Sequence, residues 1–146
     1  MKEMYLYLSS DSCTDIFPNN SANCFRVKLP QNLHLRTTDK WSIALLDFDP
    51  PKFKDDYKPR FITFESSSCV PSAYKSGLRP ILQVCYYSEM KRGLPIRIAN
   101  PRYVRLNTKH FDSFDMYLRD ETDKDVSFKS GALTCTLHLV KEDSQN

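Results

Sequence analysis

The sequence predicts an all-β fold of about eight short antiparallel strands, packed as a sandwich or barrel. Three observations lead to this prediction. Apolar residues recur with a period of two along most of the chain, as in strands that are buried on one face. Turn-forming residues separate these segments at intervals of roughly 8–16 residues. No stretch of about ten residues has the 3.6-residue periodicity of an amphipathic helix.

The first two strands are the most regular. Tyr5 and Tyr7 alternate with Leu6 and Leu8 near the N-terminus. We interpret this segment as a strand, because no cleavage site of the A-x-A type follows it as it would in a signal peptide. The segment 24–30, CFRVKLP, places three apolar residues on one face and ends at a proline.

The third strand, 41–48, is apolar on both faces, which is typical of a central strand covered on both sides. Its alternation places three residues on one face, namely Trp41, Ile43 and Leu45. It places three on the other face, namely Ala44, Leu46 and Phe48.

Further strands are predicted in the rest of the chain, at 60–66, 81–87, 96–98, 103–106, 114–118, 126–128 and 133–140. Single helical turns fit residues 13–17 and 107–114. The length of 146 residues favours one domain spanning 1–146. Its last residues, 140–146, are expected to form a flexible tail.

Composition argues against several classes of function. A net charge of +3 is too small for a dedicated nucleic-acid-binding protein, so a nucleic-acid partner is not expected. No apolar run reaches the roughly 18 residues of a membrane-spanning helix, so no membrane partner is expected either. The five cysteines lack C-x-x-C spacing, and we interpret them as free, buried thiols of a protein that is not secreted.

No catalytic or metal-binding constellation stands out. The three histidines, His34, His110 and His138, are not at ligand spacing, and the alternation places His34 and His138 on outward faces. Asp47 and Asp49 share one side of a strand, where a carboxylate pair is conceivable but a solvated strand end is favoured. Glycines are isolated, so no phosphate-binding loop is present. We therefore expect no catalytic residue, cofactor or metal, and a protein that is not an enzyme.

Protein contacts are the remaining expectation for the surface. Two long loops, 49–60 and 66–80, carry tyrosines, and tyrosine supplies contact area at low entropic cost. Basic residues cluster between positions 91 and 105, where an acidic neighbour would be attracted. The predicted subunit-interface residues are Tyr57, Tyr74, Arg92, Arg97 and Arg102.

The N-terminal third also resembles a known family. Its strand-loop-strand pattern runs from Tyr5 to Ser10, through Phe17-Pro18-Asn19-Asn20, to a strand that ends at Leu29-Pro30. A tryptophan-led strand at 41–48 follows and stops at Pro50. This order is similar to that of penton-like minor capsid proteins of Polinton elements and their adintovirus-type relatives.

The C-terminal part adds to the resemblance. The stretch 114–140 carries an aspartate-bearing hairpin at Asp120, followed by a pattern of the type V-F--G-L---LH, which here spans Val126 to His138. The glycine usual in that hairpin is replaced by Thr122 and Asp123. Residues 51–110 lie outside the resemblance.

The resemblance implies a single jelly-roll β-sandwich that forms homopentamers at the five-fold vertices of an icosahedral capsid. Its partners would be itself and neighbouring major capsid proteins, and it would be located in virions assembled in the nucleus or cytoplasm of the host cell. The loop 14–23 would then be an assembly or end-cap element. The alternatives are a β-sandwich binding module for a receptor, glycan or protein, and a small enzyme or accessory nucleic-acid-binding protein.

Overall fold

A computed structural model describes residues 2–30, 35, 38–90, 94–107 and 112–142. Within these ranges the chain is nearly all β, with one short 3-10 helix at Tyr87–Glu89. The strands are β1 (Glu3–Ser9), β2 (Cys24–Lys28), β3 (Trp41–Asp49), β4 (Lys52–Phe53), β5 (Phe61–Glu65), β6 (Ser72–Tyr74), β7 (Gly77–Arg79), β8 (Ile81–Tyr86), β9 (Ile96–Arg97), β10 (Val104–Arg105), β11 (Ser113–Asp120), β12 (Phe128–Ser130) and β13 (Thr134–Lys141).

Two antiparallel sheets form the sandwich. The first, here called the β1 sheet, has the order β1-β13-β3-β10, and β9 also pairs with β3. The second, the β2 sheet, has the order β2-β11-β5-β8. If β9 and β10 are counted as one interrupted strand, the eight strands in chain order give the arrangements 1-8-3-6 and 2-7-4-5. This is the strand order of a jelly roll, so the predicted fold class is confirmed.

The core lies between the two sheets and is built by the period-two pattern. Phe25 of β2 and Leu8 of β1 are buried, whereas the residues that alternate with them face solvent. Phe48 and Phe64 connect the two sheets directly, with ring centroids 4.7 Å apart.

The prediction for β3 was wrong at its second half. Trp41, Ile43 and Leu45 share the inner face as expected, but Phe48 is also buried in the core instead of lying on the opposite face. The cause is a β-bulge: β13 pairs Leu137 with Leu45 and Thr136 with Asp47, so Leu46 has no partner residue in β13. One extra residue shifts the phase of the alternation.

The predicted C-terminal tail, 140–146, overlaps the final described strand. Strand β13 continues through Lys141, whose N–H donates to the Lys2 carbonyl. The N–H of Glu142 donates to the Lys40 carbonyl, and residues 143–146 lie outside the described part of the chain.

Of the two predicted helical turns, the first occurs as a turn closed by the Phe17 N–H and the Cys13 carbonyl, 2.8 Å apart.

The turn after Asp120, where Thr122 and Asp123 stand in place of the glycine usual in the penton-like pattern, keeps a backbone conformation that is typical of glycine. Asp123 has a φ of 64°, in the left-handed region where glycine is usual and aspartate is tolerated. Asp120 stabilises this turn, since its Oδ1 accepts hydrogen bonds from the N–H and hydroxyl of Thr122 and from the Lys124 N–H.

No helix in the described residues is long and apolar enough to cross a membrane.

Candidate assembly surfaces

The outer face of the β1 sheet carries an aromatic row, formed by Tyr5, Tyr7, Tyr103 and His138. Tyr5 stacks on the His138 imidazole, with centroids 4.6 Å apart and an interplanar angle of 11°. The imidazole is held on both sides, because Nδ1 lies 2.8 Å from the Tyr103 hydroxyl and Nε2 lies 2.9 Å from Glu3 Oε2. His138 does lie on the outward face as predicted, but its side chain is only 12% exposed.

The tyrosines of this row remain open to solvent. Tyr5, Tyr7 and Tyr103 are 48%, 78% and 46% exposed, respectively. None of the three is among the predicted subunit-interface residues. The signal that identifies them was present, because Tyr5 and Tyr7 are the outward-facing members of the alternation in β1. Adjacent exposed aromatic residues on one sheet face are typical of a protein contact surface.

The loop 14–23 caps the outer edge of β2. The Asn20 side chain forms two hydrogen bonds with the backbone of Arg26: Nδ2 donates to the Arg26 carbonyl at 2.8 Å and Oδ1 accepts from the Arg26 N–H at 2.9 Å. The backbones of Ser21 and Cys24 bond to each other in the same way. The loop thus occupies backbone groups that would otherwise be free to pair with another strand.

The β6–β7 hairpin covers the outer face of β5 with a buried ion pair. Arg79 donates from Nε and Nη2 to both carboxylate oxygens of Glu65, with Nε 2.8 Å from Oε1. The Glu65 side chain is 1% exposed and that of Arg79 is 17% exposed. Arg79 also contacts Asp123 at 2.6 Å, which connects the hairpin to the β11–β12 turn. The hydrogen bonds that Arg79 donates, first to Glu65 and then to Asp123, raise the pKa of Arg79 above its usual value.

Tyr74 completes this cover. Its ring lies under the guanidinium of Arg79, 4.5 Å from ring centroid to Cζ, in a cation–π contact. Its hydroxyl is buried with no hydrogen-bond partner among the described residues. Tyr74 therefore packs against the body of the sandwich within this chain.

An aromatic cleft opens at one end of the sandwich, with a volume of about 740 Å³. Phe53 is at its centre and packs against Tyr57, Tyr87 and Phe128, with centroids 6.1, 5.7 and 5.1 Å away. The Tyr57 hydroxyl donates to Asp120 Oδ2 at 2.8 Å. Burial, followed by this hydrogen bond, raises the pKa of Tyr57 well above its usual value.

The structure places the predicted interface residues in different settings. Tyr57 and Tyr74 are half-buried and make contacts inside the chain. Arg97 and Arg102 are exposed at the β9–β10 side of the β1 sheet. Arg102 also reaches the β6–β7 hairpin, where its guanidinium donates to the Ser72 hydroxyl. Arg92 lies outside the described residues, and the interface remains a prediction.

The structure describes only some of the residues considered for chemistry. His34 and His110 lie outside the described ranges. Asp47 lies opposite Arg97 in the pairing of β3 with β9, and Asp49 is exposed at the strand end. Among the described residues, no group of three or more His, Cys, Asp or Glu side chains is arranged to hold a metal ion.

All five cysteines are free thiols. Cys69, Cys85 and Cys135 are buried as predicted, and burial raises the pKa of each to about 12. Cys13 is half-buried and Cys24 is exposed, which differs from the prediction. Partial burial and the nearby Asp125 carboxylate raise the pKa of Cys24.

Comparison with known proteins gives a partial structural similarity. No protein-family model matches the chain, and no curated protein matches it. Among solved structures, the mavirus penton protein is similar over 58% of this chain, at 12% sequence identity and a TM-score of 0.45. The matched part is 33% of that chain, so the similarity covers about a third of the mavirus protein. At these values it assigns neither fold nor function, and the jelly-roll assignment depends on the strand order described above.

Proposed function

We propose that this chain is a structural virion protein without catalytic activity: a penton-like minor capsid protein of the Polinton or adintovirus type. The whole chain would act as one jelly-roll domain. It would form homopentamers at icosahedral vertices, next to major capsid proteins, in virions assembled inside the host cell. Nucleic acid and membranes are not proposed as partners.

The observation that carries this proposal is the jelly-roll strand order, an arrangement used by viral capsid proteins. The segments that resemble penton-like proteins occupy β1, β2, β3, β11 and β13 of this sandwich. Residues 51–110, outside the resemblance, supply the remaining sandwich strands β5, β8, β9 and β10. A cyclic pentamer needs one heterologous contact that is repeated until the ring closes.

The exposed arginines at the β9–β10 side are the best-placed residues for that ring contact. Arg97 and Arg102 are solvent-exposed, and no ion pair occupies either guanidinium within the described part of the chain. A guanidinium presents several donors in a fixed plane and suits a carboxylate on a neighbouring subunit. We propose that the two arginines bind an acidic surface of the next copy in the ring.

Mass measurement in solution tests the oligomer. Native mass spectrometry and light scattering should detect a species of five 17.0 kDa chains, about 85 kDa. The double variant Arg97→Glu, Arg102→Glu should lose this species because both charges are reversed. The matched double variant Arg97→Lys, Arg102→Lys keeps the charges and should retain it. A wild-type protein that stays monomeric across concentration, with and without the major capsid protein, would contradict the proposal.

The aromatic cleft supports one second candidate, a β-sandwich binding module. Its volume of about 740 Å³ lies within the range of small-molecule sites, and its walls combine aromatic rings with charged side chains. A module of this kind would remain a monomer of 17.0 kDa and bind its ligand through the cleft. If the chain is such a module, Phe53→Ala should abolish ligand binding. If it is a capsid protein, the same variant should still form the five-chain species.

A further inference from the structure

The edge of β1 is open, in contrast to the capped edge of β2. The Lys141 N–H donates to the Lys2 carbonyl, and the Ser10 N–H donates to the Leu133 carbonyl. Even-numbered residues between these positions therefore direct their backbone groups toward β13. Glu3, Tyr5 and Tyr7 direct theirs away from the sheet, where the described residues provide no partner.

An open edge strand is a template for adding another strand. Its main-chain groups supply hydrogen bonds, and alternate side chains supply the specificity. In β1 the side chains on the outer face beside these free groups are Tyr5 and Tyr7, both largely exposed. The loop 14–23 prevents such pairing at β2 through Asn20, but the described residues place no equivalent cap on β1.

We propose that this edge binds a second copy of the chain, with two β1 strands pairing antiparallel about Leu6. The sequence from Met4 to Leu8, Met-Tyr-Leu-Tyr-Leu, has the same pattern of residue types in both directions. Pairing centred on Leu6 places Tyr5 of each copy opposite Tyr7 of the other. It also places Met4 opposite Leu8 on the inner face, so apolar residues meet apolar residues and aromatic residues meet aromatic residues.

The charges at the two ends favour the same orientation. Lys2 precedes the strand and Asp11 follows it, and both are exposed. Antiparallel pairing brings Lys2 of each copy close to Asp11 of the other, whereas parallel pairing brings the two lysines together. The contact is isologous, so it joins two chains and cannot close a five-membered ring. It therefore goes beyond the proposed pentamer and uses a different surface.

Disulfide crosslinking tests the register. In a Cys24→Ser background, Tyr5→Cys protein is mixed with Tyr7→Cys protein under mild oxidation by oxidised glutathione. Directly opposed residues of an antiparallel pair have Cα atoms about 5.5 Å apart, a spacing that a disulfide spans. The mixture should form a disulfide between positions 5 and 7, located by peptide mass spectrometry. Neither variant alone should crosslink at these positions. Disulfides between two copies of position 5 or two copies of position 7 without a disulfide between positions 5 and 7, or no crosslink in any sample, would overturn the proposed pairing.

A backbone variant tests the hydrogen bonds. Tyr7→Pro removes an N–H that has no partner among the described residues, so the fold should be retained. The symmetric pair loses two hydrogen bonds of about 1 kcal/mol each, so dimerisation should weaken about thirtyfold in sedimentation equilibrium. Tyr7→Phe keeps the N–H and should retain dimerisation.

Unchanged dimerisation of a folded Tyr7→Pro protein would contradict the proposal, and if this variant does not fold, the crosslinking result decides. The five-chain species should be present in Tyr7→Pro and absent in the Arg97→Glu, Arg102→Glu variant, so failure of one contact is distinguishable from failure of the other.

Discussion

Replacing Arg79 with methionine should strongly destabilise the fold, because Arg79 is the cationic partner of a carboxylate inside the protein. The Glu65 side chain is 1% exposed, and Arg79 binds both of its oxygens. After the substitution, only the Thr63 hydroxyl, 3.1 Å from Glu65 Oε2, remains as a donor from those contacts. A buried charge that loses its partner costs about 3–5 kcal/mol. That is a large part of the 5–15 kcal/mol that typically stabilises a domain.

The measurement is urea denaturation followed by fluorescence. Trp41 is the single tryptophan and is 6% exposed, so its emission reports unfolding directly. The control is Lys75→Met, which removes an ion pair with Asp123 whose side chains are 48% and 44% exposed. An exposed pair of this kind contributes about 1 kcal/mol or less.

A double variant separates the charge effect from the loss of packing. Glu65→Leu combined with Arg79→Met removes both charges and should be more stable than Arg79→Met alone, because no carboxylate remains unpaired. If Arg79→Met cost no more than Lys75→Met, or if the double variant were less stable than Arg79→Met, the reasoning from the buried ion pair would be refuted.

Three further predictions concern the core, the turn and the thiols. Leu45→Ala should lower the free energy of unfolding by about 2–5 kcal/mol, since Leu45 is fully buried; a calorimetric change below 1 kcal/mol would contradict this. Tyr57→Phe should cost about 1 kcal/mol at pH 7. Burial opposes ionisation of Asp120, but hydrogen bonds from Thr122 and Tyr57 outweigh it and lower its pKa. The stabilisation is therefore present above the ordinary aspartate pKa of about 4 and is lost as the pH falls through the lowered pKa of the folded state, so the difference between wild type and variant should shrink with falling pH in urea titrations. Cys24 should be the first thiol to react with a disulfide reagent at pH 8, while the three buried thiols react only on unfolding; early labelling of a buried thiol would contradict their raised pKa values.

The alternation of apolar residues was sufficient to predict the sandwich strands, because every second side chain of a strand points to the same face of the sheet. It failed at β3, where the bulge at Leu46 moved Phe48 into the core. No local feature of WSIALLDF marks that bulge. It is set by pairing with β13, about ninety positions later in the sequence.

The surfaces were harder to predict than the strands. The ion pair of Glu65 with Arg79 and the contact of Arg79 with Asp123 join residues that are 14 and 44 positions apart. No periodicity connects them, since the hairpin folds back over the sheet. Tyr57 and Tyr74 are predicted interface residues because a loop tyrosine supplies contact area at low entropic cost, and no sequence pattern indicates the contacts that both make within the chain. His138 was placed on the correct face, but its neighbours come from β1 and the segment before β10.

The pairing of β1 with β13 has a consequence for biosynthesis. Strand β1 cannot join the rest of the β1 sheet until β13 has been made, because β13 lies between β1 and β3. Until Thr134–Lys141 has left the ribosome, β1 and β3 each present an unsatisfied edge. A nascent chain that stalls before Thr134 would therefore be a substrate for chaperones and for aggregation, even though most of its core residues have already been translated.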